Sequence, residues 1–122
     1  MINNSFTQTI VIQENQTADY LGSGTLPVFA TPAMIALMEN TAMNVLSDLP
    51  TDKTSVGIAI NISHIKACLV GDKIHCKATI KDIDGRKYIF HIIATDERGN
   101  IIGEGTHERV IVDVEKFMSK LN

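Results

Sequence analysis

Hydrophobic positions along the chain change period twice. Thr7 to Gln13 is rich in Thr, Ile and Val and predicts a first strand. Gly22, Gly24 and Pro27 then break the chain into a loop. Thr31-Pro32 opens a helix, because Thr can cap and Pro suits the first helical position. That helix runs to about Ser47, with Asp48 and Pro50 marking its end. Ala33 to Met38 and then Ala42, Met43, Val45 and Leu46 make it apolar around nearly its whole circumference, which predicts burial on most sides. From Ser55 the period becomes two. Val56, Ile58, Ile60 and Ile62 are expected on one face, and Gly57, Ala59, Asn61 and Ser63 on the other. Lys73 to Asp82, Lys87 to Asp96 and Ile101 to Val112 read as three further strands, separated by turns at Asp84-Gly85 and Arg98-Gly99-Asn100. Val114 to Leu121 reads as a short terminal helix.

The order is strand, loop, long helix, then four strands joined mostly by tight turns. Meander connections make such strands antiparallel, so the class is α+β, with a sheet of about five strands covering an apolar helix. The 122 residues fit a single domain, 1–122, able to bury a real core. The arrangement resembles the hotdog fold.

Charge narrows the partners. Net charge is −3 and the cations are scattered, which argues against nucleic acid, whose phosphates need a basic face. No apolar run approaches the roughly 18 residues of a membrane span. The polar start, Met1 to Phe6, lacks the features of a signal peptide. Cys68 and Cys76 lack the spacing of a metal or redox pair and read as reduced structural thiols, so a cytoplasmic location is expected. No His, Cys and carboxylate set has metal-ligand spacing, and no nucleophile elbow, P-loop or dinucleotide fingerprint occurs.

Three residues stand out chemically. Glu39 is the only ionisable side chain of the helix before Asp48. Buried, it would have a raised pKa and serve as a base; alternatively it sits on an exposed strip beside Asn40 and Asn44. His64 ends the apolar alternation from Val56 and is expected to point toward the helix, where a facing carboxylate would make a general-base pair. Thr31 reads as an N-cap, at a helix start whose free N–H groups also suit a developing oxyanion. His75, His91 and His107 carry weaker cases, being mid-strand or in a polar stretch.

Three stretches make the resemblance specific. They are Val28-Phe29-Ala30-Thr31 through Glu39, Ser55-Val56-Gly57 through His64, and Gly105-Thr106-His107-Glu108-Arg109 through Phe117. In order and approximate spacing the chain resembles the fluoroacetyl-CoA thioesterase-like branch of the hotdog superfamily. The resemblance implies acyl-CoA thioester hydrolysis, with coenzyme A entering as part of the substrate and no separate cofactor or metal. It implies catalytic roles for Thr31, Glu39 and His64. It places Gly57 beside the acyl pocket and makes Phe29 and Arg109 substrate-binding candidates. Arg109 and Lys116 are the cations best placed by sequence for the coenzyme A phosphates, with solvated surface charges as the alternative reading of both. Selection of a fluorinated acyl group is not implied.

The expected roles are His64 as general base, Glu39 as its orienting carboxylate and Thr31 as nucleophile or water-positioning hydroxyl. Residues eight apart on a regular helix are separated by about 12 Å and rotated by about 80°, so Thr31 and Glu39 cannot touch. Either His64 bridges them, or Thr31 precedes the helix proper, or two chains share the site. Hotdog relatives resemble one another in forming dimers, and a homodimer is expected here. A non-catalytic acyl-CoA binding module is the alternative. An enoyl-CoA hydratase is a further one, but that chemistry usually places a histidine on or beside the helix, and this helix has none.

Overall fold

The computed structural model describes residues 4–122, so Met1 to Asn3 of the polar start lie outside the described residues. Five antiparallel strands form one sheet: β1 (Ser5–Val11), β2 (Lys53–His64), β3 (Lys73–Asp84), β4 (Lys87–Thr95) and β5 (Ile101–Asp113). Their spatial order is β1-β3-β4-β5-β2. The short α1 (Ala18–Leu21) lies in the loop before the long α2 (Thr31–Val45), and α3 (Val114–Ser119) closes the chain. Among the described residues no helix is long and apolar enough to cross a membrane.

Helix α2 packs on one face of the sheet. Met34, Leu37, Met38, Ala42 and Val45 are buried against Ile74, Cys76 and Ala78 of β3 and Phe90, Ile92 and Ala94 of β4. The all-round burial expected from composition is only partly realised, since Ala36 and Met43 face solvent. The docking is keyed by polar contacts: Gln8 Nε2 of β1 donates to Thr41 Oγ1 (2.8 Å) and to Asn40 Oδ1 (2.9 Å). Asn44 joins the same strip by donating to Asn40. Both cysteines are free and buried, and burial pushes the Cys76 thiol up to about 11, which keeps it protonated and inert.

The strict alternation expected for β2 is broken. Its pairing with β5 shifts between Gly57 and Ala59, so Gly57 lies opposite Arg109 while Ile60 lies opposite His107. Directly opposed residues share a face, and His107 and Arg109 are both buried on the helix side. Gly57 and Ile60 are therefore both inward, and Val56 and Ile60 lie on opposite faces. The extra residue of a β-bulge reverses the faces along the second half of the strand. This corrects the expectation that Val56, Ile58, Ile60 and Ile62 form one stripe. His64 still points toward the helix, because the reversal carries Ile60, Ile62 and His64 together.

Two β5 glycines allow close approaches. A Cβ on Gly105 would lie 2.0 Å from the Asn61 carbonyl oxygen of β2, against rigid backbone. A Cβ on Gly103 would lie 2.5 Å from Met34 Sδ, the movable end of a flexible side chain. Gly105→Ala is accordingly expected to cost about 3 kcal/mol or more, and Gly103→Ala about 1 kcal/mol. Urea midpoints compared at equal slope check this. Equal costs would contradict the close β2–β5 approach.

Candidate active site

The start of α2 gives Thr31 a role other than capping. Ala30 is the N-cap residue and Thr31 the first helical residue, with no side-chain cap bond. The N-cap reading is therefore replaced: the Thr31 hydroxyl is free to leave the helix, and Thr31 Oγ1 lies 2.7 Å from His64 Nδ1. Phe29, almost fully buried, meets the His64 ring edge-on at a centroid distance of 6.4 Å. These three residues line one cavity of about 260 Å³ together with Val28, Ala30 and Ile65.

The other imidazole nitrogen has no partner. His64 Nε2 is buried from solvent and makes no hydrogen bond. Such an orphan costs about 1–3 kcal/mol, so this position calls for an acceptor. Burial lowers the pKa of His64, a shift partly opposed by the nearby Lys66 backbone, which is not within hydrogen-bonding geometry of either ring nitrogen. The ring is then neutral at neutral pH, as a base must be.

Glu39 is elsewhere. It does not join the strip of Asn40 and Asn44 but turns to β2, where its Oε2 would lie 3.2 Å from a Cβ on Gly57. The same missing Cβ would meet His107 Cε1 at 3.1 Å and Arg109 Nη1 at 3.5 Å. Carboxylate, imidazole and guanidinium thus converge on a position that only glycine leaves open. Gly57 pairs with Arg109 and His64 with Gly103. Six residue steps of about 3.3 Å separate them along β5, roughly 20 Å. Within one chain the structure brings Thr31 and His64 together and holds Glu39 apart from both.

Arg109 also departs from expectation. It is only 7% exposed. Its Nε donates to Ser55 Oγ (2.8 Å), its Nη2 to the Ser55 carbonyl (2.9 Å) and its Nη1 to His107 Nε2 (3.1 Å). A guanidinium committed inward is not presented to a phosphate in solvent, so the phosphate-handle reading of Arg109 is withdrawn; Lys116 lies exposed on α3. His107, given little weight in the sequence, is 2% exposed and central to this cluster. The signal was its spacing: two residues before Arg109 on one strand, hence on the same face. Burial lowers the pKa of His107 first of all, with the Arg109 charge adding to it and the Ala59 carbonyl, Glu39 and Glu108 opposing it. For both histidines the folded value falls below the ordinary one of about 6.5. The stability they contribute is present above that pH and is lost as the pH falls through the folded values.

Sheet order and the helix packed on one face define the hotdog fold, and the comparisons with known proteins make its class an acyl-CoA thioesterase. The comparisons with known proteins are specific. The family model for the fluoroacetyl-CoA-specific thioesterase, FlK, matches residues 12–115. The chain belongs to that family. The fluoroacetyl-CoA thioesterase of Streptantibioticus cattleyicolor is 34% identical over 95 residues, covering 77% of this chain and 68% of the relative. A solved structure of the fluoroacetyl-CoA thioesterase FlK superposes with a TM-score of 0.90 at 30% identity, covering 99% of this chain and 94% of the other. A variant of that enzyme in complex with fluoroacetate and CoA gives 0.88 at 29% identity, covering 96% and 98%. A Thermus thermophilus protein described as a thioesterase superfamily member shares the fold, with a TM-score of 0.87 at 24% identity and coverage of 99% and 92%.

Because Arg109 faces Glu39 and not solvent, Arg109→Ala is expected to lower kcat/KM by a similar factor for an acyl-CoA and for the matching acyl-pantetheine ester. The ratio between the two substrates checks this whatever fraction of the variant folds. A loss confined to the CoA ester would return Arg109 to the phosphates.

Proposed function

We propose that the chain hydrolyses an acyl-CoA to the free acid and coenzyme A, in a homodimer whose two sites each draw on both subunits. The observation that carries this is the Thr31–His64 hydrogen bond with the buried, unpartnered Nε2 on the far side of the ring. If the Thr31 hydroxyl donates to Nδ1, then Nε2 carries the proton and needs an acceptor. A carboxylate there would hold the tautomer, orient the ring and stabilise the imidazolium formed as His64 takes the hydroxyl proton. Glu39 is the carboxylate whose position supports that role, provided it comes from a second copy.

The edge of the sheet supplies the geometry. Strand β2 pairs on one side only. From Thr54 to Ser63 it carries no charged residue, and Ile58 is 53% and Ile60 39% exposed. An apolar, unguarded edge of this length favours pairing with another strand. Two β2 strands joined antiparallel about a two-fold axis at Asn61 would pair inward Ile60 with the partner's Ile62, and the extra residue of the bulge would then bring Gly57 opposite the partner's His64. Opposed residues share a face, so Glu39, standing over Gly57, comes within about one strand spacing of the partner's imidazole. The joined sheet leaves both α2 helices on one side.

In this site Thr31 attacks the thioester carbonyl or holds the water that does, and His64 takes the proton. The free N–H groups at the start of α2 or beside Gly57 receive the oxyanion. Phe29 lines the cavity next to the reacting centre. The substrate class comes from the relatives, one of which was crystallised with fluoroacetate and CoA. A screen of acyl-CoA lengths by thiol release identifies the acyl group.

Glu39→Gln and His64→Ala are each expected to lower kcat by about 100-fold or more, the scale of a lost general base. Parent rates in both variants would place the chemistry elsewhere. The parent is expected to sediment as a dimer at micromolar concentration. Ile58→Lys, which puts a charge on the open edge, is expected to shift it toward monomer and to lose activity in proportion. A fully active parent monomer would contradict the shared site.

A further inference from the structure

The cluster beneath Gly57 holds a second buried histidine that the proposed proton transfer does not use. Its protonation state can be read from its partners alone. His107 Nδ1 lies 2.8 Å from the Ala59 carbonyl, which can only accept, so Nδ1 carries a proton. His107 Nε2 lies 3.1 Å from Arg109 Nη1, which can only donate, so Nε2 is a bare acceptor. The ring is thus the neutral Nδ1–H tautomer, with both nitrogens satisfied. Phe90 stacks against it at a centroid distance of 6.4 Å and closes one side.

We propose that His107 is a positioning residue: as a neutral acceptor it locks the Arg109 guanidinium, which with Ser55 aims Nη1 at the opening before Gly57 and steadies the Glu39 carboxylate. This rests on the reading of Glu39 as the carboxylate of the shared site. Ser55 Oγ and the Ser55 carbonyl hold two nitrogens of the guanidinium, and His107 holds the third. Glu39 makes no ion pair with Arg109, and it influences Arg109 and His107 only through the intervening space. The carboxylate is thereby steadied by a nearby charge while staying free to reach a partner subunit. A direct salt bridge would pull it away from that task.

The lock has a built-in acid limit. Protonation of Nε2 would replace an acceptor with an N–H facing the Arg109 cation, losing one hydrogen bond and adding like-charge repulsion. The charged groups acting on the ring are Arg109 on the same face of β5, Glu39 from α2, and Glu108 from the opposite face of β5. From β2 it meets the Ala59 carbonyl, and from β4 the Phe90 ring.

Three measurements test the proposal. Long-range 1H–15N correlation spectra of the intact parent at pH 7 are expected to show His107 as the Nδ1–H tautomer. An Nε2–H ring or an imidazolium would overturn it without any assay of hydrolysis. His107→Gln keeps an acceptor toward Arg109 and cannot be protonated, whereas His107→Leu keeps bulk and loses the acceptor. Loss of positioning predicts that the Leu variant drops about tenfold or more in kcat with KM within about threefold, and that the Gln variant recovers most of that loss. Equal kcat in the two variants would reduce His107 to packing. The acid limb of log kcat is expected to be steeper in the parent than in His107→Gln, which lacks the His107 titration and keeps every other titrating group of the site. An unchanged slope would overturn the proposal even if the Leu variant failed to fold. Full activity in Glu39→Gln would instead overturn the reading of the shared site, leaving the tautomer result to stand alone.

Discussion

The pairing of β2 with β5 determines where every chemical group of this protein points. One residue is inserted between Gly57 and Ala59, and the faces of β2 reverse there. Before the bulge, Ser55 and Gly57 turn inward to the Arg109 guanidinium and the Glu39 carboxylate. After it, His64 turns inward to Thr31. A regular strand in the same place would satisfy one of these groups and turn the other to the opposite face. The bulge is the small departure from regularity that turns both groups toward the helix.

Much of the fold was legible because its signals are local. The change from helical to alternating period, the Asp84-Gly85 turn and the Thr31-Pro32 start set the element order within a few residues. The arithmetic of eight helical residues already separated Thr31 from Glu39. What could not be read was non-local. Alternation of Val56, Ile58, Ile60 and Ile62 is the usual mark of one buried stripe, and nothing in those residues announces that a bulge divides them. Arg109 looked like a surface cation because burial of an arginine depends on finding Ser55 and His107, contributed by pairing across strands. His107 was underweighted for the same reason.

Burial of Arg109 and His107 together runs against the usual economy of a small core, in which unpaired polar groups cost several kcal/mol. The cluster is tolerated because each nitrogen discussed above has a partner of the correct donor or acceptor type. Its arrangement contrasts with the Thr31–His64 pair, where one nitrogen is left bare. The satisfied network lies beside the Glu39 carboxylate without bonding it, and the unsatisfied one leaves a buried nitrogen open to an acceptor. The two halves are complementary in chemistry as well as in their spacing along β2.

Whether the halves meet across a two-fold axis is decided most directly by subunit mixing. Glu39→Gln and His64→Ala chains, each inactive as a homodimer, are combined and allowed to exchange, with exchange confirmed by mass spectrometry. Random assortment makes about half the dimers mixed, and each of those holds one intact site and one doubly damaged site. The account predicts recovery to about a quarter of the parent activity. No recovery after complete exchange would place Glu39 and His64 in the same subunit's site and contradict it.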